Sequence, residues 1–242
     1  MAIADALKLV HKNIMQSAAK AGRNPDLIKL IAVSKTVDIQ SIKKAILAGA
    51  TILGENRVQE AREKITELRA LTTPPTPPLS KGGTQGGVEW HLIGSLQKNK
   101  AKAAVQLFDL IHSVDSVSLA DEINRHAANI GKIQRILVQV KLSDELTKHG
   151  ASENETMVLL DKITKLDSIA LEGLMTIPPF FDNPEEARPY FKRLKDIADK
   201  ALKKGYPIKE LSMGMSNDYK VAIEEGATMV RIGTFIFGER NY

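Results

Sequence analysis

Cysteine is absent from this chain of 242 residues. Its absence excludes a thiolate nucleophile, a disulfide framework and any cysteine-ligated zinc or iron–sulfur centre. Long apolar runs are also missing. No stretch reaches the ~18 residues of a membrane span, and Met1–Val10 lacks a basic region followed by an apolar core. A cytoplasmic location with no membrane partner is therefore expected. Charge of one sign is not in excess: 34 Lys and Arg against 29 Asp and Glu leave a net +5, and the charges are interspersed. The densest cluster, Lys98, Lys100 and Lys102, has no aromatic side chains interleaved for base stacking. It reads as a solvated helix face, and no nucleic-acid partner is expected.

What is there is an ordinary globular composition, 43% hydrophobic and 26% charged. This excludes a collagen-like or wholly disordered chain and, at this length, favours one domain over residues 1–242. Ile3, Leu7, Val10, Ile14 and Ala18 recur at three and four residues and predict an opening amphipathic helix. A couplet then repeats, a short apolar run followed by a helical pattern of ten or more residues. The runs are Leu27–Val33, Thr51–Leu53, Trp90–Ile93, Leu110–His112, Ile133–Val140, Ile169–Leu174, Ile208–Leu211 and Met229–Ile232. Strict alternation demands right-handed parallel crossovers. With eight strands, and with neither Gly-x-Gly-x-x-Gly nor Gly-x-x-x-x-Gly-Lys after any of them, the pattern predicts an α/β fold, a (β/α)8 TIM barrel with an extra N-terminal helix. One segment breaks the rhythm. Pro74, Pro75, Pro77 and Pro78 followed by Gly82, Gly83, Gly86 and Gly87 read as an exposed, flexible insertion over about 72–88, on the face away from the chemistry.

Barrel chemistry gathers where strands end. The first run closes on Ser34-Lys35. A lysine there can be partly desolvated and free to form a Schiff base with a carbonyl compound, although from position alone a solvated loop lysine is the plainer reading. The second run leads into Glu55, Asn56, Arg57 and Glu60, which serve equally as a helix first turn or as site lining. In the third, His91 reads as a hydrogen-bonded core residue; with no paired histidine or Glu-x-x-His nearby, no metal is expected. The seventh and eighth runs lead into Ser212, Gly214 and Ser216 and into Gly233 and Thr234. Hydroxyls and close-approaching backbone N–H groups there suit a phosphate, or are simply flexible turns. Closing a barrel sets strand eight beside strand one, so a reactive amine and a phosphate cup would meet. A small phosphorylated carbonyl compound joins both, whether pyridoxal phosphate (PLP) or a sugar phosphate.

Ala32–Lys35, Gly54–Glu60, His91–Lys100, Gly173–Ile177, Ser212–Ser216 and Arg231–Gly238 resemble, in this order, the pyridoxal phosphate homeostasis proteins. The resemblance runs from about Ala2 to Gly238 and implies a fold-type III barrel, similar to the N-terminal domain of alanine racemase. It implies PLP as cofactor, with Lys35 as Schiff-base lysine, Ser212, Gly214 and Ser216 on the phosphate side, Gly233 and Thr234 as donors from strand eight, and Asn56 and His91 near the ring. Arg231 matches the arginine facing the pyridine nitrogen; it donates a hydrogen bond without giving up its proton, which leaves the ring a poor electron sink. The chain departs from the pattern at the proline- and glycine-rich insertion and at Lys148-His149-Gly150, which leaves open whether Lys148 is a second aldehyde acceptor.

The resemblance implies a cytoplasmic binder that buffers and delivers PLP, with apo-enzymes as recipients and only indirect effects on amino-acid and keto-acid balance; a monomer is expected. No catalytic residue is assigned. A racemase needs a second base, and of Tyr190, Tyr206, Tyr219 and Tyr242 only Tyr219 falls near the site, where packing of a helix is the plainer reading. The alternatives are a PLP-dependent racemase-like enzyme, a cofactor-free class I aldolase-like barrel, and a structural partner protein that binds no ligand.

Overall fold

The computed structural model describes residues 1–71, 87–143 and 149–238. Eight strands, β1 (Lys29–Val33), β2 (Ile52–Glu55), β3 (Glu89–Leu92), β4 (Leu110–Val114), β5 (Gln134–Gln139), β6 (Ile169–Met175), β7 (Glu210–Met215) and β8 (Met229–Ile232), close into a barrel in chain order. Every neighbouring pair is parallel, and β1 seals the cylinder against β8 with Ile31 opposite Arg231. The expected barrel is therefore the observed one. Around it lie α2 (Ile39–Leu47), α3 (Val58–Leu71), α4 (Ala101–Leu107), α5 (Val117–Asn129), α6 (Glu153–Ile163), α7 (Arg188–Lys203) and the short α8 (Tyr219–Glu224) and α9 (Thr234–Phe237). The extra N-terminal helix, α1 (Ile3–Lys20), buries Leu7, Val10, Ile14 and Ala18 as its periodicity requires and packs against α2, α8 and α9. Among the described residues no helix is long and apolar enough to cross a membrane.

Local chemistry explains the element ends. Asp38 caps α2 by accepting the Ser41 N–H at 2.9 Å, and Ser152 and Glu155 close a reciprocal capping box on α6. Pro25–Leu27 forms a 3-10 turn, so β1 starts at Lys29 rather than Leu27. The largest departure from the sequence reading is β7, which continues past Leu211 to Met215 instead of turning there. Ser212 lies buried inside that strand, while the run Ser212–Ser216 reads locally as loop because it is rich in small and polar residues. The proline- and glycine-rich insertion, apart from Gly87 and Val88, and Lys148 lie outside the described residues.

Two cores result. The larger fills the space between strands and helices, with Phe108 and Phe191 fully buried. The smaller, inside the barrel, consists of Ile31, Leu110, Leu137, Met175 and Met229. Alternation along β4 and β8 sets His112 and Arg231 on the same inward face as Leu110 and Met229, so the interior turns polar toward the C-terminal ends. Across from β8 the register of β7 slips between Ser212 and Met215, and Gly214 there has φ +90. A Cβ on Gly214 would stand 2.5 Å from Ala222 Cβ and 2.9 Å from Tyr219 Cα. Gly214→Ala is accordingly expected to cost roughly 2–4 kcal/mol, combining a left-handed backbone with overpacking, as a urea denaturation midpoint will report.

Candidate functional site

A cavity of about 490 Å³ opens where the strands end, lined by residues that follow or close seven of them: Lys35 after β1, Asn56 after β2, Gly94 and Ser95 near the end of β3, Gln139 at the end of β5, Ile177 after β6, Met215–Asp218 at and after β7, and Arg231, Gly233 and Thr234 on and after β8. Of the residues singled out in the sequence, the structure brings Lys35, Asn56, Ser216, Arg231, Gly233 and Thr234 to this one cavity. The amine of Lys35 and the groups after β7 and β8 meet across the closing seam because β1 pairs with β8.

Lys35 is half-buried on a tightly held turn. Thr36 has φ +60, which a β-branched residue adopts only when its surroundings impose it. Here they do. The Thr36 N–H donates to Glu60 Oε1 at 2.5 Å, and Lys64 Nζ reaches Glu60 Oε1 and the Ser34 carbonyl, each at 2.6 Å. Lys64 also donates to Glu55 Oε1 at 2.8 Å, an oxygen that receives the Ser34 hydroxyl at 2.7 Å. The backbone on both sides of Lys35 is thus fixed by one ammonium and two carboxylates. Burial pushes the Glu55 carboxyl up, with Lys64 opposing it; burial acts the same way on Glu60, but Lys64 and the Thr36 N–H hold that group below its ordinary value. In the sequence Glu60 reads as a helix first turn or as site lining and Lys64 belongs to no motif; their i,i+4 spacing is the signal that points to this clamp.

Arg231 is 3% exposed. Nη1 donates to Ser212 Oγ at 2.6 Å and Nη2 to the Thr176 carbonyl at 2.9 Å, which engages two of its five N–H groups. Burial draws its pKa down to about 10, with Asp218 pulling the other way, so it is cationic at neutral pH. Toward the seam, the Gly233 N–H meets Ser216 Oγ at 3.4 Å. Asp218 accepts the Met215 N–H at 2.6 Å, and burial raises its carboxyl above the ordinary range. Asn217 ties the rim by donating to the Phe181 carbonyl at 2.8 Å. At Gly94 a Cβ would lie 2.4 Å from the Asn56 carbonyl oxygen, so this close approach needs glycine.

Three expected site residues are placed elsewhere. Ser212 is fully buried, its hydroxyl committed to Arg231 and, at 3.0 Å, to His112 Nδ1, so it is a support for Arg231 and does not line the cavity. His91 is fully buried between Glu89 and His112 inside the barrel. Gly214 serves the approach of α8 rather than the cavity wall. Ser212 and His91 are displaced for the same reason: inward positions on the strands lie beneath the cavity floor. Tyr219 also points away, its hydroxyl accepting from Asn13 Nδ2 on α1 at 2.8 Å.

The class of protein to which this closed parallel barrel belongs is that of the alanine racemase N-terminal domain, whose family model matches residues 6–241. An alanine racemase of Clostridium difficile superposes with a TM-score of 0.69 at 20% identity over 98% of this chain and 58% of its own, a likeness of fold. Closer relatives are found as well. A pyridoxal phosphate homeostasis protein of Aquifex aeolicus is 40% identical over 240 residues, 98% of each chain, and that of Escherichia coli is 39% identical over 99% of this chain and 97% of its own. PipY of Synechococcus elongatus, solved with PLP bound, gives a TM-score of 0.80 at 36% identity over 98% of this chain and all of its own. The chain belongs to the alanine racemase N-terminal domain family and, within it, to the pyridoxal phosphate homeostasis proteins.

Proposed function

We propose that this protein binds PLP and serves its homeostasis inside the cell, holding the cofactor on Lys35 and releasing it to apo-enzymes, as a cytoplasmic monomer. The observation that carries this reading is the meeting, in one cavity, of an amine on β1's exit, a buried cation on β8 and a hydroxyl and N–H cluster after β7 and β8. That donor set fits the group. When bound, PLP supplies an aldehyde able to condense with an amine, a phosphate, and a ring nitrogen that accepts a hydrogen bond. Lys35 offers the amine, Ser216, Gly233 and Thr234 the anion cradle, and Arg231 a donor that remains protonated. Asn56 and Ile177 border the space between them.

Holding rather than turnover is supported by the side chains present. The titratable groups among the described lining residues are Lys35, Asp218 and Arg231. Arg231 is a cation, Asp218 is bound to the Met215 N–H, and Tyr219 is engaged with Asn13, so a pair of bases facing each other across the cavity is not assembled from them.

Borohydride reduction of the PLP-loaded protein, followed by peptide mapping, tests the reading. The expected result is a single fixed pyridoxyl group on Lys35; a modified lysine elsewhere overturns the assignment. Multiple-turnover racemisation that requires Lys35 would instead favour an enzyme. A second expectation follows from the clamp. Glu60→Ala removes the acceptor of the Thr36 N–H and should weaken PLP binding roughly three- to tenfold, the worth of about 1 kcal/mol for one hydrogen bond, while a fluorescence titration of the folded variant still reaches saturation.

A further inference from the structure

A continuous line of buried polar side chains runs from the cavity floor through the barrel to its opposite mouth. Arg231 Nη1 meets Ser212 Oγ at 2.6 Å, Ser212 Oγ meets His112 Nδ1 at 3.0 Å, His112 Nε2 meets His91 Nδ1 at 3.0 Å, and His91 Nε2 meets Glu89 Oε2 at 3.0 Å. Both rings are fully buried, with centroids 5.0 Å apart. Glu89 begins β3, and its half-exposed carboxylate also accepts from Arg135 Nη1 at 3.4 Å; Arg135 is in turn paired with Glu172. The binding role proposed above uses only the first member of this line.

Donor arithmetic gives the line one direction. A carboxylate only accepts, so His91 carries its proton on Nε2. A neutral His91 then has a bare Nδ1, which can only accept from His112 Nε2–H. A neutral His112 has a bare Nδ1 in turn, which accepts the Ser212 O–H. That leaves the Ser212 oxygen to accept from Arg231, which always donates. The opposite direction fails at both ends: it needs a protonated Glu89, and it leaves a fully buried Ser212 O–H without an acceptor. Burial, together with Arg135 and Arg231 nearby, favours the neutral form of both rings, although Glu89 and Asp109 oppose this at His91. His91, burial and Arg135 between them set Glu89 at about 2.

We propose that Glu89, His91, His112 and Ser212 are positioning residues that form a one-directional hydrogen-bond relay, through which a carboxylate at the far mouth of the barrel sets both imidazole tautomers and turns the Ser212 O–H away from Arg231, leaving the Ser212 oxygen as its acceptor beneath the cavity floor. The two ends of the cylinder are thereby coupled: the Ser212 hydroxyl that anchors one arm of Arg231 is oriented by a carboxylate that neither residue touches. The part that concerns the cofactor rests on the PLP reading; the relay itself does not.

The test uses the full chain without ligand, labelled with nitrogen-15 at histidine, and long-range proton–nitrogen spectra assigned with His91→Asn and His112→Asn. His91 and His112 are expected as neutral Nε2–H tautomers at pH 7. In Glu89→Gln the amide oxygen, in the place of Glu89 Oε2, accepts from both His91 and Arg135, so both rings should keep the Nε2–H tautomer while their nitrogen shifts move with the lost charge, including those of His112, which Glu89 does not contact. Glu210→Gln, at the same mouth but bonded to Lys29 and Thr228, should leave both rings unchanged. With PLP added, the near-visible band should shift in Glu89→Gln and not in Glu210→Gln. The relay is overturned by an Nδ1–H tautomer or a charged ring in the parent protein, or by a His112 signal indifferent to Glu89→Gln. Correct tautomers in a chain that takes up no PLP would leave the relay standing and sink only the cofactor reading.

Discussion

Lys35→Ala is expected to abolish the near-visible absorption of the PLP-loaded protein and to lower its affinity for PLP by roughly two orders of magnitude, about 2.7 kcal/mol. Lys35 is the amine at the end of β1 in the cavity, whereas the anion cradle after β7 and β8 and the buried Arg231 are left intact by the change. Residual, rapidly reversible binding should therefore persist, and borohydride should fix nothing. The fold should hardly notice. The side chain is half-exposed and the turn beneath it is clamped by Glu60 and Lys64, so the denaturation midpoint should stay within about 0.5 kcal/mol of the parent. A band that survives in Lys35→Ala would move the covalent role to another lysine.

The second large effect is on stability in mild acid. His91 and His112 are lowered from 6.5, chiefly by burial, so below that pH the unfolded chain binds protons that the folded chain refuses. The stability each contributes is complete above pH 6.5 and is lost as pH falls below it, at up to about 1.4 kcal/mol per pH unit per histidine. Glu55, Asp109 and Asp218 act in the opposite sense, because burial raises them and the folded state takes up their protons first. A difference measurement isolates the histidine. Between pH 6.5 and 5, urea denaturation of His112→Gln should show a pH slope shallower than that of the parent by about 1 kcal/mol per unit on average. Equal slopes would mean that His112 is charged in the folded protein. Glu89 enters later: lowered from 4.5 to about 2, its contribution is present above pH 4.5 and lost as pH falls through 2.

Alternation of short apolar runs with helical patterns is a local property, and it was enough to define eight strands, their parallel order and the extra helix α1. The resemblance of Ala32–Lys35 and Arg231–Gly238 to a known family pointed to the site, and Lys35, Arg231, Ser216, Gly233 and Thr234 do share a cavity. What periodicity could not show was which way a polar residue points. Ser212 looks like strand-end chemistry in a linear text, but it faces inward below the floor, because β7 runs four residues further than its apolar run; His91 is the hydrogen-bonded core residue its place within β3 suggests, and only the resemblance set it near the ring. Neither does the sequence display that Glu60 and Lys64, one turn apart on α3, reach across to the turn of Lys35. The sequence by itself determined the cylinder and the residue types at its rim, since burial of apolar side chains at periods of two and 3.6 depends on near neighbours only. The tertiary structure alone decided which polar groups became ligand contacts and which became their supports, because that depends on strand register and on closure between β1 and β8, segments about 200 residues apart in the chain.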